Sequence, residues 1–186
     1  MKQAIEEIFQ KAEDGVVDVE AIELDMASLK SIANFASEVG KVTSQVHILV
    51  NNAGVYMNLE DKNGKPIKKY TEDGFELAIG TNYFGHFQLT RLLIELLTKS
   101  GTPNDPSRIV TVSSVGHIAG ALNPEDFDLN SNKRPYNPHY QYLASKMAQI
   151  LWSNKLARSF SENGENIVAV CLHPGKHPWN SVKSVI

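Results

Sequence analysis

The sequence predicts an α/β protein built around a doubly wound parallel sheet, and two observations carry this prediction. Three short, nearly continuous apolar runs span residues 46–50, 109–112 and 167–172. Such runs are typical of strands buried on both faces, as in a parallel sheet covered by helices. Between them lie longer segments whose apolar residues recur at helical spacing. Strands that alternate with helices define this fold class.

The first elements follow from periodicity and from glycine. Apolar residues at helical spacing over 5–12 predict an amphipathic helix that Gly15 closes. Residues 19–24 alternate between apolar and polar side chains, as a strand does. Residues 28–39 predict a second helix with one apolar face, and Gly40 is placed to end it.

Two longer helical stretches follow. The first is predicted to begin at Thr71 as the N-cap and to reach about Lys99, with Gly80 and Gly85 breaking it into two pieces. The second is predicted over residues 140–161. Two turn-rich loops, over 56–70 and 120–139, are long for a compact domain and are expected to be binding loops or lids.

Bulk composition excludes several classes of protein. A formal charge of −3 over 186 residues gives no basic surface for nucleic acid. No apolar run is long enough to span a membrane. Cys171, the one cysteine, lies in an apolar run and is expected to be a small buried hydrophobe. Residues His173 and His177 do not predict a metal site, because Pro174 and Gly175 lie between them and prevent a helix.

Tyr142 and Lys146 are the strongest candidates for chemistry. Residues four apart lie on one face of a helix, one turn from each other. A nearby ammonium favours the phenolate form of a tyrosine, which can then exchange a proton with a carbonyl or an alcohol. Alone, the pair is more simply explained as a solvated surface contact.

Three further positions gain meaning from their places in the predicted fold. Ser114 follows a strand, at the end where doubly wound sheets bind ligands, although a serine there can also cap a turn. Asn82 lies in an apolar helical segment and must bind something, either a functional group or backbone at the helix break. The small residues of Asn51-Asn52-Ala53-Gly54 follow another strand and suit either a close cofactor contact or an ordinary turn.

In combination and in this order, these motifs and the Pro174-Gly175 pair resemble the short-chain dehydrogenase/reductase family. Finer features, such as Thr81-Asn82-Tyr83-Phe84-Gly85-His86-Phe87 and Leu172-His173-Pro174-Gly175, resemble its retinol-dehydrogenase-like branch. The resemblance implies a Rossmann-type fold and hydride transfer between a nicotinamide and a carbonyl or alcohol. It extends roughly from Ile5 to Gly175.

The resemblance also implies a role for each matching residue. Tyr142 would be the general acid/base, and Lys146 would favour its phenolate and bind the nicotinamide ribose. Ser114 would polarise the substrate carbonyl, and Asn82 would hold a water in the proton relay to Lys146. The implied cofactor contacts are Asp25 at the adenine, Asn51, Ala53 and Gly54 along the cofactor, Tyr142 and Lys146 at the ribose, and Pro174 and Gly175 at the nicotinamide.

The sequence departs from the family pattern at both ends. Nothing resembles the opening strand, the Thr-Gly-x-x-x-Gly-x-Gly turn and the second strand, whose end chooses between NAD and NADP. The threonine, helices and last strand expected after Gly175 are missing too. We therefore expect residues 1–186 to form a single, incomplete Rossmann-type domain, lacking the first β-α-β unit and the C-terminal helices and strand.

The resulting hypothesis is an NAD- or NADP-dependent oxidoreductase acting on a lipophilic, retinoid-, steroid- or aldehyde-like substrate. The alternative is a catalytically silent, truncated chain that acts only by dimerising with a full-length relative. The helices bearing Asn82 and Tyr142 would then form the interface, as they would in a homo-oligomer. A Ser114–His117 hydrolase is disfavoured, since no Gly-x-Ser-x-Gly motif surrounds the serine. The chain is expected in the cytoplasm, and a full-length form at the endoplasmic reticulum membrane.

Overall fold

The sheet of this protein consists of three parallel strands in the order β1-β2-β3, in a computed structural model that describes Glu6 and residues 18–126 and 135–175. The strands are β1 (Ile48–Asn51), β2 (Ser107–Val112) and β3 (Ile167–Leu172). Each pairs in register with the next, from Ile48 opposite Arg108 to Val112 opposite Leu172. The parallel sheet with helical crossovers confirms the predicted α/β class.

Within residues 18–126 and 135–175, one helix precedes β1, two lie between β1 and β2, and one lies between β2 and β3. They are α1 (Leu29–Val42), the short α2 (Leu77–Ile79), α3 (His86–Ser100) and α4 (Pro138–Glu162). A π-helical segment, Gly80–Gly85, joins α2 to α3. Two 3₁₀ turns follow β2, at Val115–Ala119 and Pro124–Asp126.

Helix α1 begins where the sequence predicted and ends later. The Ser28 hydroxyl accepts a hydrogen bond from the backbone N–H of Ser31, as an N-cap does. Gly40 lies inside the helix instead of ending it, and the helix reaches Val42. The two helical residues past Gly40, Lys41 and Val42, are exposed, and the Thr43 N–H closes the helix by donating to the Val39 carbonyl. A helical glycine costs only about 1 kcal/mol relative to alanine, so Gly40 does not have to end the helix.

The predicted helix start at Thr71 is wrong. Thr71 accepts from the backbone N–H groups of Gly74 and Phe75, which closes a turn, and Gly74 has a φ of 85° that no helix continues. Glu76 is the N-cap instead, because its carboxylate accepts from Ala78 and Ile79. Gly80 and Gly85 mark the break, as predicted, but the chain passes through it as a π-helix.

The predicted strand over residues 19–24 is also wrong. Val19, Ile22 and Leu24 are half-buried, and Leu24 packs against the core, yet the segment forms no strand. A strand needs a neighbour for its backbone hydrogen bonds. None of the described strands lies beside it.

Several predicted features lie outside the described residues. They are the N-terminal helix over 5–12, of which only Glu6 is described, Gly15, His177 and residues 127–134 of the second loop.

The hydrophobic core lies on one face of the sheet. There α1, α3 and α4 contribute Ile32, Leu93 and Phe160, which pack against Ile109 of β2. The opposite face is left uncovered by the described residues. It carries Ile48, Val50, Val168, Val170 and Leu172, each between 42% and 55% exposed. The expectation of strands buried on both faces therefore fails for the described part of the chain.

Candidate active site

Tyr142 and Lys146 lie one turn apart on α4, as predicted. Asn137 caps this helix by accepting from Tyr140, and Pro138 occupies its first turn, where a missing N–H costs nothing. The Lys146 ammonium lies 5.7 Å from the centroid of the Tyr142 ring. The sequence pattern thus brings the two groups together through ordinary helix geometry.

Lys146 is deeply buried for a lysine, at 4% exposure. Its Nζ donates to the carbonyl oxygen of Val112, at the end of β2, over 3.0 Å. Its own backbone carbonyl accepts from the Ser113 hydroxyl. Burial lowers the pKa of Lys146 from 10.5 to about 8, because the charged form loses its hydration. The ammonium is therefore held beside Tyr142 by β2, rather than solvated at the surface.

Asn82 is fully buried in the π-helical segment, and its side chain is almost fully used. Its Oδ1 accepts from the Val55 N–H (2.8 Å), and its Nδ2 donates to the Val55 carbonyl (3.0 Å) and to the Ser145 hydroxyl (2.9 Å). The side chain therefore clamps the segment after β1 to α4. Only a second lone pair on Oδ1 remains for the relay water that the resemblance implies.

The backbone carbonyl of Asn82 has two partners that sequence reasoning missed. Gln149 donates to it from α4 over 2.7 Å, and His86 Nδ1 lies 2.8 Å from it. Burial lowers the pKa of His86 to about 4, so the ring is neutral near pH 7. The sequence did contain a signal for these two partners. His86 and Gln149 lie one helical turn after Asn82 and Lys146, respectively, and both are polar residues in otherwise apolar segments.

Ser114 follows β2 and caps the first 3₁₀ turn. Its Oγ accepts from the Gly116 backbone over 3.2 Å, so the turn-capping interpretation holds. The turn packs closely against α4. There is no room for a Cβ at Gly116, which would collide with the side chain of Leu143, the residue after Tyr142. Capping uses an acceptor site of the hydroxyl and leaves its hydrogen for a ligand oxygen.

Gly54 lies exposed beside both Lys146 and Asn82. A Cβ there would be 3.4 Å from Lys146 Nζ and 3.3 Å from Asn82 Oδ1. Glycine therefore leaves an open approach to these two groups at the carboxyl edge of the sheet, where Ala53 is also exposed. An open cradle of this kind fits the ribose and nicotinamide end of a dinucleotide.

The other expected cofactor contacts are distributed differently. The Asn51 amide donates to the Thr90 hydroxyl over 3.0 Å and the residue is 1% exposed, so its side chain is turned into the protein rather than towards a ligand. Asp25 is exposed, and its carboxylate accepts from the Ala27 N–H in the turn before α1. Pro174 and Gly175 are exposed directly after β3. No Gly-rich phosphate turn accompanies them in the described ranges.

Cys171 lies on β3 and is half-buried. Burial raises the pKa of its thiol, against the opposing influence of Lys146. The protonated thiol at neutral pH agrees with a packing role. Within residues 18–126 and 135–175, no group of three metal-binding side chains occurs, and no helix has the length and apolarity to cross a membrane.

The family of the chain follows from comparison with known proteins. The model of the short chain dehydrogenase family matches residues 1–123. The chain belongs to this family. Its relatives confirm the retinol-dehydrogenase-like branch.

Human polyprenol dehydrogenase is 38% identical over 157 residues, which are 84% of this chain and 44% of that protein. Human retinol dehydrogenase 13 is 42% identical over 158 residues, which are 84% of this chain and 43% of that protein. The chain thus spans less than half the length of these curated relatives.

Solved structures agree on the fold. A protein from Mycobacterium paratuberculosis superposes with a TM-score of 0.70 at 36% identity, covering 91% of this chain and 55% of that one. RhlG of Pseudomonas aeruginosa, solved in complex with NADP, gives a TM-score of 0.63 at 25% identity, over 87% of this chain and 54% of that one.

Proposed function

We propose that this chain carries the catalytic part of an NAD- or NADP-dependent oxidoreductase that interconverts a carbonyl and an alcohol. The observation that carries the proposal is the buried Lys146 ammonium, held by Val112 within 5.7 Å of the Tyr142 ring. Burying a charged lysine costs stability, so its place beside a tyrosine calls for a functional reason.

In the direction of reduction, the side chains of the protein transfer a proton to the substrate. A bound nicotinamide would supply the hydride to the carbonyl carbon. The Tyr142 hydroxyl donates its proton to the oxygen, which becomes the alcohol, and the Lys146 ammonium stabilises the phenolate that remains. The free hydroxyl hydrogen of Ser114 donates to the same oxygen and polarises the carbonyl. Oxidation runs through the same groups in reverse.

The cofactor would rest in the cradle at Gly54, with Lys146 and Tyr142 at its ribose. Ala53 and the backbone of Asn51 would line the adjoining part, and Pro174 and Gly175 would border the nicotinamide. Asp25 would meet the adenine.

A lipophilic substrate is supported by the surroundings of Ser114 and Tyr142. Val115 and Ile118, in the turn that Ser114 caps, are 57% and 74% exposed. Apolar side chains exposed around a polar centre suit a substrate with an apolar body and one oxygen. The names of the retinol and polyprenol dehydrogenase relatives point to the same class.

Two measurements test the proposal on the purified chain. The first is thermal unfolding with NADPH and with NADH, since a ligand at 100 times its Kd adds about 2.7 kcal/mol to the native state. The second is reduction of all-trans-retinal, followed by loss of NADPH or NADH absorbance. Stabilisation by a cofactor together with turnover is expected. A melt that neither cofactor changes, with no turnover, contradicts the proposal for this chain.

Tyr142→Phe separates the catalytic role of the tyrosine from binding. The variant keeps the ring and loses the proton, so turnover should disappear while the cofactor-induced shift in melting remains. Retention of more than about a tenth of the wild-type kcat, which means that the barrier rises by less than about 1.4 kcal/mol, would remove Tyr142 from the acid/base role.

Dimerisation through α3 and α4 is a second proposal. Phe87 and Leu92 on α3 and Leu151 on α4 are exposed apolar side chains, and Phe87 contacts Trp152 across the two helices. A silent chain that pairs with a full-length relative would use the same surface. Native mass spectrometry of the chain alone, and mixed with retinol dehydrogenase 13, should give dimers. Monomers alone in both samples would contradict this interface.

A further inference from the structure

Tyr56 opens the long loop after β1, yet its backbone is anchored. The preceding residue, Val55, has both its N–H and its carbonyl bound by the Asn82 side chain, at 2.8 and 3.0 Å. A two-point contact of this kind fixes the orientation of the peptide units on either side of Val55. The first residue of the loop is therefore held in place by the same buried asparagine that binds α4 through Ser145.

The ring of Tyr56 projects onto α4. It meets the Tyr142 ring edge to face, with 5.3 Å between centroids and 73° between planes. It meets His139, one turn earlier on the helix, at 6.1 Å and 87°. Edge-to-face pairs at these distances are attractive and have a preferred geometry. Together with Lys146, 5.7 Å from the same centroid, Tyr56 restricts the orientations open to the Tyr142 ring.

We propose that Tyr56 is a positioning residue that sets the direction of the Tyr142 hydroxyl. The inference rests on the proposed oxidoreductase function and extends it to a residue outside the family motif. The Tyr142 side chain is only half-buried, so α4 alone leaves it room to turn. A proton donor that is displaced by about 1 Å can lose on the order of a hundredfold in rate, so a side wall that holds the ring affects kcat directly.

Three variants test the role through kinetics. Tyr56→Phe keeps the ring and removes its hydroxyl, Tyr56→Leu removes the ring, and Tyr70→Leu is the matched control. Tyr70 is an exposed tyrosine at the other end of the same loop, 48% exposed against 44% for Tyr56, and its ring lies against the Lys68 ammonium rather than against Tyr142. With all-trans-retinal and the preferred cofactor, Tyr56→Leu should lower kcat about tenfold or more and change KM much less. Tyr56→Phe and Tyr70→Leu should stay within about twofold of wild type.

A second readout is independent of turnover. In ¹H–¹³C spectra of ring-labelled tyrosine, the Tyr142 signals are identified by their loss in Tyr142→Phe. The Tyr56 ring current should displace them in wild type and in Tyr56→Phe, and the displacement should vanish in Tyr56→Leu. Because Tyr56 and Tyr70 lie at the surface, 44% and 48% exposed, all three variants should fold, and thermal melts check this.

The combined outcomes separate the two proposals. A lower kcat together with loss of the ring-current shift, seen in Tyr56→Leu but in neither Tyr56→Phe nor Tyr70→Leu, supports positioning. Tyr142 signals that ignore Tyr56→Leu overturn the inference whether or not the chain turns over. Tyr142 signals that move in Tyr56→Leu while kcat is unchanged show a contact that has no role in catalysis, and this result also overturns the inference. A wild-type chain with no turnover whose Tyr142 signals respond to Tyr56→Leu contradicts the proposed function and leaves the contact intact.

Discussion

Replacing Lys146 with methionine should stabilise the protein at neutral pH while removing its proposed activity. Burial lowers the pKa of Lys146 from 10.5 to about 8. Since one pKa unit is about 1.4 kcal/mol, the charged lysine costs the native state about 3 kcal/mol relative to the unfolded chain. Methionine has a similar length and no charge. It gives up the bond to the Val112 carbonyl, worth about 1 kcal/mol, which leaves a net gain of about 2 kcal/mol.

The pH dependence identifies the source of the gain. Because the native pKa of Lys146 is depressed, below pH 8 the lysine is protonated in both states and the cost is constant. Between pH 8 and 10.5 the unfolded chain holds a proton that the native state has released, so wild-type stability rises with pH in that window. Lys146→Met has no such group. Its advantage should therefore shrink as the pH rises towards 10.5.

Urea denaturation followed by circular dichroism, at pH 7 and at pH 10, gives the required free energies of unfolding. Lys155→Met is the control, because Lys155 is an exposed lysine on the same helix and should change stability by less than about 0.5 kcal/mol. A Lys146→Met variant that is no more stable than wild type at pH 7, or an advantage that is independent of pH, would refute the reasoning. A gain in stability with loss of turnover is the pattern expected of a functional residue.

Three other variants are informative. Burial lowers the pKa of His86 from 6.5 to about 4, so in acid the unfolded chain binds a proton that the native ring excludes. His86 should therefore cost wild type about 3 kcal/mol of stability between pH 6.5 and 4, and urea titrations of His86→Gln over the same range should show a smaller loss. In Gly101→Ala the new Cβ would collide with the Asn166 carbonyl, and the midpoint of urea unfolding should report a loss of about 1–3 kcal/mol. Gly40→Ala is its counterpart, because the position lies in α1 with nothing within 4 Å, and the same assay should report a gain of about 0.5–1 kcal/mol.

Local pattern was sufficient where an element depends on its own residues. The run at 167–172 predicted β3 to the residue, and α4 extends only a little beyond its predicted ends. Prediction failed where a distant neighbour decides. The segment at 19–24 has the alternation of a strand, but strand formation depends on a partner that the alternation does not specify. Thr71 and Glu76 can both cap a helix, and the left-handed Gly74 between them selects the later one.

The residues of the candidate site also fall into those that the sequence predicts and those that only tertiary contacts reveal. The Tyr142–Lys146 pair could be read from the sequence, because helix geometry alone brings the two residues together. The partner of Asn82 could not, because Val55 lies 27 residues away and is reached only when α4 and the segment after β1 meet. Tyr56 carries no motif and follows the Asn-Asn-Ala-Gly run directly. Its contact with Tyr142 depends on the loop being anchored by Asn82, which is a tertiary property.

Asn82 shows why loss of activity alone would be weak evidence for a proton relay. Its side chain and carbonyl tie together the π-helical segment, the residue before Tyr56 and helix α4, through Val55, Ser145 and Gln149. Removing it would release the walls of the cradle as well as any water bound to Oδ1. Kinetic loss in an Asn82 variant therefore fits positioning as well as relay. Only a changed pH dependence of kcat, with the Tyr142 ring signals unmoved, would separate proton transfer from geometry.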